Sequence, residues 1–530
     1  MSKANSPSSM GSAKTGLEVS GTGSTAPTKS LLPFTEVQIR SACKTIPTPF
    51  HMYSELGLRT TCRRLNQAFN WTPGFMNYFA VKATPNPHLL KILQDEGFGA
   101  DCSSLAELML SEACGFEGPQ IMFTSNNTTI GDFQKAKDLG AIINLDDISH
   151  IAYIDEKIGL PEFISLRYNP GSSRTGNVII GHPEEAKFGL TREQLFEAYA
   201  DLKKRGVKGF GLHAMVVSNC TDPAEIGETA RMLFQLVLEV KEKSGVEISQ
   251  VNLGGGIGVA YEPGTRPVDM QACGKEVKTA FSQFSKKSDG ALPLRIVMEC
   301  GRAITGPNGV LVSRCVHQKR TYKNYVGLDA CMSNLMRPGM YGAYHHVTVL
   351  PVEDSELSSL PGASSLPSVR SLFDCPPSSP SGERESGAVG EEKKQKKSKG
   401  RRRDESHEDR VYDVVGGLCE NNDKFAIDRQ LNASPRIGDI VVVHDAGAHG
   451  HSMGFQYNGK IRSAEVLVKT RGELEMIRRA ETYADYFATL DWQGLPRPGS
   501  SWWPLQLALA GAAGAAVAVG VSSYLRGSRS

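Results

Sequence analysis

Tyr78-Phe79-Ala80-Val81-Lys82-Ala83, followed by Thr84-Pro85-Asn86, reads as a short apolar strand that delivers one lysine at its end. An apolar run of this length, bounded by a turn signal, is a buried strand, and an amine at its tip is placed to capture an aldehyde. Burial there would lower the lysine pKa and supply the neutral amine that such a capture requires. Taken alone, a strand ending in lysine is more often a chain emerging into water. The reading therefore turns on what accompanies it.

Two further strands end in complementary chemistry. Val251-Asn252-Leu253-Gly254-Gly255-Gly256-Ile257-Gly258 enters a glycine-rich turn, in which absent side chains let backbone N–H groups approach a phosphate. No Gly-Lys-Ser/Thr follows, and GGGxG is not the GxGxxG of a dinucleotide fingerprint, so a nucleotide loop is disfavoured. Leu294 to Met298 then delivers Glu299-Cys300-Gly301-Arg302. A carboxylate in this position can keep a pyridine nitrogen protonated, with N–H donors and a cation beside it. Strands such as Ile164 to Arg167, Val207 to His213 and Ile296 to Glu299 alternate with helical stretches. In Ala224 to Lys243, for example, Leu233, Leu236, Val237 and Val240 recur at helix spacing. The alternation predicts a parallel barrel with its chemistry at the strand C-terminal ends. Later runs, Ile440 to His444 and Ser463 to Val468, with Gly438-Asp439 as a turn, predict a separate β domain.

From about Pro47 to about Leu490 the chain resembles the alanine-racemase-like, fold type III family of pyridoxal phosphate decarboxylases, and within it the members that act on diaminopimelate. The motifs are YFAVKA, Gly99-Ala100-Asp101-Cys102-Ser103-Ser104 with Glu107, Lys187-Phe188-Gly189-Leu190, Met332 to Tyr341 (MSNLMRPGMY), Leu418-Cys419-Glu420, and Ala446 to Met453. The resemblance implies an α/β plus all-β fold: a cofactor-binding TIM-like (β/α)8 barrel with a separate C-terminal β domain, which residues before the barrel join. It implies that Lys82 holds pyridoxal 5'-phosphate covalently, with Ser218, Gly255, Gly256, Glu299, Gly301, Arg302 and His449 as further cofactor contacts. Arg302, Arg337, Tyr341 and Glu420 would hold the distal amino acid end of meso-diaminopimelate. Cys419 would return a proton to the α-carbon, giving L-lysine as product. A homodimer with shared sites is implied, so that Cys419 and Glu420 serve the partner's Lys82.

Three positions depart from the family pattern. Met215 stands where a histidine usually stacks on the cofactor ring, and its polarizable thioether can still pack on an aromatic face. Cys300 replaces a usual proline. His449 replaces a usual tyrosine, which exchanges a phenol for an imidazole with different reach and pH dependence.

The 530 residues allow two or more domains, and 40% hydrophobic content can fill their cores. A formal charge of +2 gives no argument for nucleic acid. Eleven scattered cysteines without paired spacing, in a chain lacking a clear secretory signal, point to reduced cytosolic thiols. His345-His346, His444, His449 and His451 lack the cysteine or carboxylate spacing that completes a metal site, so no metal is expected.

The expected organisation is a disordered tail over 1–30, an N-terminal segment over 31–70 and the barrel over 71–312. The β domain then covers 313–352 and 410–490, interrupted by a disordered Ser, Pro and charge-rich insertion over 353–409. In the 491–530 tail, Leu505 to Leu525 carries no charge and is long enough to span a bilayer, yet its many Ala and Gly make it only weakly hydrophobic. Two readings stand for it, a membrane anchor on an otherwise cytoplasmic enzyme and a small-residue tail. For the whole chain the rivals are an ornithine or arginine decarboxylase, an amino acid racemase with a two-base site, and a non-catalytic homologue that acts by binding a partner.

Overall fold

The computed structural model describes residues 32–173, 185–288, 294–353 and 411–497. The N-terminal tail, nearly all of the insertion and the Leu505–Leu525 segment lie outside them. Among the described residues no helix is long and apolar enough to cross a membrane.

Eight parallel strands close into a barrel: β2 (Met76–Ala80), β3 (Gly99–Cys102), β4 (Ile121–Thr124), β5 (Ile142–Leu145), β6 (Phe163–Tyr168), β7 (Gly209–Ala214), β8 (Gln250–Asn252) and β9 (Arg295–Met298), with β2 pairing β9. The strand preceding the lysine begins two residues earlier and ends three residues earlier than the sequence suggests. Pairing stops at Ala80 against Asp101, and Val81–Ala83 forms a 3-10 turn closed by Thr84 N–H donating to the Val81 carbonyl at 3.0 Å. Lys82 is thus carried on a turn at the barrel mouth, just beyond the strand.

The helices follow from their boundary residues. Asp222 caps the helix Pro223–Ser244 through the Ala224 N–H, Pro223 fits its first position, and Gly245 ends it with φ +64°. Its Leu233, Leu236, Val237 and Val240 are buried against the barrel wall, each contributing about 1.5–3 kcal/mol.

The second unit is a nine-stranded sheet. Its main path runs β14 (Lys424–Gln430), β13 (Val411–Val415), β11 (Asn324–Leu328), β10 (Gly309–Arg320), β1 (Phe50–Ser54), β16 (Ala464–Val468) and β17 (Leu474–Arg478). Off this path, β15 (Ile440–Val443) pairs β10 and β12 (Val347–Leu350). β1 lies parallel to β16 and antiparallel to β10, so a segment preceding the barrel is a central strand of the later sheet.

A buried polar cluster ties this sheet to the turn after Lys82. Glu465 on β16 accepts from Tyr53 Oη at 2.8 Å, Asn86 Nδ2 at 3.0 Å and Arg478 Nε, while Arg478 Nη2 donates to the Pro85 carbonyl at 3.2 Å. Burial opposes ionisation of Glu465, but His451 and Arg478 outweigh it and hold the carboxyl down at about 2.

His51 in the same cluster is held down to about 3 by burial, with His451 adding to the effect. Below its ordinary value of 6.5 the unfolded chain takes up a proton that folded His51 refuses. Stability from this group is therefore complete above about pH 6.5 and is lost toward pH 3, at about 1.4 kcal/mol per pH unit. We expect His51→Gln to reduce the proton uptake on unfolding by about one between pH 4 and 6, measured by denaturant titration across pH. An unchanged uptake would show that His51 titrates in the native state.

Candidate active site

The C-terminal ends of the barrel strands surround a cavity of about 540 Å³. Lys82 lines it and keeps 55% of its side-chain surface open to the cavity mouth. Its Nζ lies 3.6 Å from Oδ2 of buried Asp101 at the end of β3. The expected depression of the lysine pKa is reversed. Asp101, the largest influence, and Glu299 favour the ammonium, and together they outweigh burial, leaving Lys82 above its ordinary value. Asp101 is itself pushed well above the usual carboxylate range by burial and by Glu299.

Glu299, just past β9, is fixed from three strands. Asn252 Nδ2 on β8 donates to Oε1 at 2.6 Å, and His213 Nε2 on β7 lies 3.3 Å from Oε2. Asn144 on β5 places its Nδ2 2.9 Å from His213 Nδ1, which leaves the Nε2 proton facing Glu299. Burial opposes ionisation of Glu299, yet His213, Lys82 and Asn252 outweigh it, so the carboxyl stays below the usual range. It is an anion aimed into the cavity.

The glycine turn follows β8 with φ +69° at Gly254 and +99° at Gly256. A Cβ on Gly255 would come within 2.6 Å of the Glu299 carbonyl, one on Gly256 would overlap Val217, and one on Gly301 would lie 2.9 Å from the Ala83 Cβ. Backbone alone fills these positions, as a phosphate cradle requires. Ser218, Gly255, Gly256, Gly301 and Arg302 all line the same cavity. Amine, anionic carboxylate and glycine cradle around one cavity fit pyridoxal phosphate.

Two departures acquire definite roles. Met215 lines the cavity, and its sulfur accepts the Gly255 N–H at 3.2 Å, so the thioether is anchored to the cradle. His449 adopts φ +55° and donates its N–H to the Ala83 carbonyl at 2.9 Å, one residue from Lys82. Burial, then Arg302, Arg337 and Lys82, holds its imidazole down to about 3. It is therefore neutral near pH 7, as a phenol in its place would also be.

Arg337 is 5% exposed and does not line the cavity itself. It joins Arg302 through Tyr261, whose Oη accepts from Arg302 Nη1 at 3.1 Å and from Arg337 Nη1 at 2.8 Å. Burial lowers the Arg337 pKa, with Tyr261 opposing and Arg302 adding to the shift. Tyr341, 47% exposed, ends the short helix Arg337–Tyr341 and does not line the Lys82 cavity, nor do exposed Cys419 and Glu420. The Cys419 N–H donates to Asn458 Oδ1 at 2.9 Å, and Glu420 accepts from Tyr457 Oη at 3.0 Å. One chain therefore unites Lys82, Ser218, Glu299, Arg302 and His449, and leaves Cys419, Glu420 and Tyr341 on its surface.

Sequence reasoning missed several contributors. Asp101 and Asn252 both stand in quoted motifs but received no role, Asn252 lying two residues before Gly254. Arg167 on β6 pairs with Asp146 at 3.1 Å and lies 4.0 Å over the Phe188 ring, closing one wall. Its position at a strand end was the available signal.

With the geometry in place, comparison with known proteins is informative. Residues 57–306 match the pyridoxal-binding domain of the pyridoxal-dependent decarboxylases, and residues 384–447 match the C-terminal sheet domain of the same enzymes. Protein TabA of Pseudomonas amygdali pv. tabaci is 37% identical over 85% of this chain and 92% of its own. The diaminopimelate decarboxylase of Methanothermobacter thermautotrophicus is 30% identical over 83% of this chain and 90% of its own. The crystal structure of diaminopimelate decarboxylase from M. jannaschii in complex with L-lysine superposes with a TM-score of 0.68 at 27% identity, covering 85% of this chain and 93% of that one.

Proposed function

We propose, from the premise that this chain belongs to the pyridoxal-dependent decarboxylases, that its substrate is meso-2,6-diaminopimelate and its product L-lysine. The cofactor is pyridoxal 5'-phosphate, which when bound accepts the electron pair released as carbon dioxide leaves the α-carbon. Lys82 is the residue to hold its aldehyde, and Glu299 the one to keep a proton on the ring nitrogen. The glycine cradle, Ser218 and Arg302 hold the phosphate. Met215 and His449 line the same cavity and would add no charge beside the cofactor.

One observation carries the choice of substrate. Arg302 and Arg337 meet at the Tyr261 phenol, with neutral His449 nearby and the carboxylates of Asp101 and Glu299 gathered at the Lys82 end. A substrate with a distal carboxylate is attracted to the paired guanidinium groups, whereas the distal cation of ornithine or arginine is repelled by them. Product analysis with diaminopimelate, ornithine and arginine offered separately tests this. L-Lysine from the first alone is expected, and a preference for ornithine would reject the reading.

Cys419 and Glu420 complete the site from a second copy of the chain in this reading, Cys419 returning a proton to the α-carbon and Glu420 contacting the distal amine with Tyr341. Their exposure on their own chain supports it. Co-expression of Lys82→Ala with Cys419→Ala should then restore about a quarter of wild-type activity by random pairing, since one site of each mixed dimer is intact. Two inactive variants that remain inactive together, although mixed dimers form, would place each Cys419 in its own chain's site.

A further inference from the structure

We infer that Tyr261 and His345 are positioning residues that set substrate choice, by locking Arg302 and Arg337 into a paired receptor for the substrate's distal carboxylate. The inference rests on the substrate reading above. Two guanidinium groups side by side repel each other and need acceptors for their buried N–H groups. A carboxylate would satisfy them but would also neutralise them and compete with an incoming anion. The structure uses neutral acceptors instead.

The Tyr261 oxygen takes one N–H from each arginine, at 3.1 and 2.8 Å, and the Arg337 guanidinium also lies 5.0 Å from the centre of the Tyr261 ring. His345 supplies the second acceptor, with Nε2 3.0 Å from Arg337 Nη1. Its Nδ1 lies 2.8 Å from the His444 carbonyl, which can only accept, so Nδ1 carries the proton and Nε2 presents its lone pair to Arg337. The two rings meet edge to face at 4.9 Å, and both residues are buried, so neither acceptor can turn away. The receptor thus keeps its positive charge while every link in it is held in place.

Such an arrangement acts on a ligand with an anion at the far end and leaves the chemistry at Lys82 alone. Tyr261→Phe keeps the ring and removes the bridging oxygen. We expect it to raise KM for diaminopimelate about tenfold or more, to leave kcat within about twofold, and to leave the visible absorbance of the cofactor-loaded protein unchanged, since Lys82 is untouched. The preference for diaminopimelate over ornithine should narrow by the same factor. His345→Leu should behave likewise, whereas His345→Gln, whose amide can accept from Arg337 and donate to His444, should restore near wild-type KM. This rescue separates a positioning role from general disruption of the fold.

Calorimetric titration of the cofactor-loaded protein with pimelate, a dicarboxylate of matching length that cannot be decarboxylated, distinguishes the two readings. Wild-type binding of pimelate that weakens about tenfold in Tyr261→Phe supports the receptor even if diaminopimelate is not turned over, in which case only the substrate reading fails. Unchanged KM and pimelate affinity in Tyr261→Phe, or no pimelate binding by the wild type, would overturn the inference.

Discussion

Lys82→Ala is expected to abolish the visible absorbance of the bound cofactor and to reduce decarboxylation on the order of ten-thousandfold, about 5 kcal/mol of transition-state stabilisation. The cause is covalent, because the amine that holds the aldehyde is gone. Lys187 is the other lysine that lines the cavity among the described residues, and it provides the internal control. Lys187→Ala should keep both absorbance and most of the activity. If instead Lys187→Ala loses the absorbance and Lys82→Ala keeps it, the assignment of the two lysines is reversed.

Arg337→Ala is expected to lower kcat/KM for diaminopimelate by about a hundredfold to a thousandfold, roughly 3–4 kcal/mol, with the cofactor absorbance retained. Truncation removes one charge of the receptor, one of the two N–H groups that the buried Tyr261 oxygen accepts, and the Arg337 contact of His345 Nε2. Arg302 lines the cavity together with the glycine turn, so a variant there would confound cofactor and substrate, whereas Arg337 sits one tyrosine further away. Loss of cofactor in parallel with activity would move Arg337 to the phosphate.

The barrel was legible because its signals are local. Each strand is a short apolar run, each helix repeats its apolar residues at helical spacing, and the reactive groups sit just past strand ends. Lys82, Glu299 and the glycine turn could be read for that reason. The electrostatics were not legible, because charge state depends on neighbours far apart in sequence. The lysine pKa was expected to fall through burial, and only the approach of Asp101 and Glu299 from other strands reverses that. His449 likewise reads as a pH-sensitive exchange for tyrosine until Arg302, Arg337 and Lys82 are seen beside it. Tyr261 and His345 carried no signal, since neither a tyrosine past a glycine loop nor a histidine pair announces a partner. Cys419 and Glu420 were recognised from their motif alone, and their own chain gives them no place beside Lys82.

The placement of β1 carries a consequence for how the molecule is made. Phe50 pairs with Ala464 and Val312, so a strand made before the barrel waits for partners made after it. The barrel, whose strands pair in sequence order apart from the closing contact of β2 with β9, can assemble during synthesis. Throughout that interval the edges of β1 are unpaired, and β1 is directly joined to the helix Glu55–Ala68 that packs on the barrel. The nascent chain therefore passes through a stage with a finished barrel and an open apolar strand, during which chaperone protection matters most. Joining the late strands to the N-terminus by circular permutation would shorten that stage, and with it the period of aggregation risk.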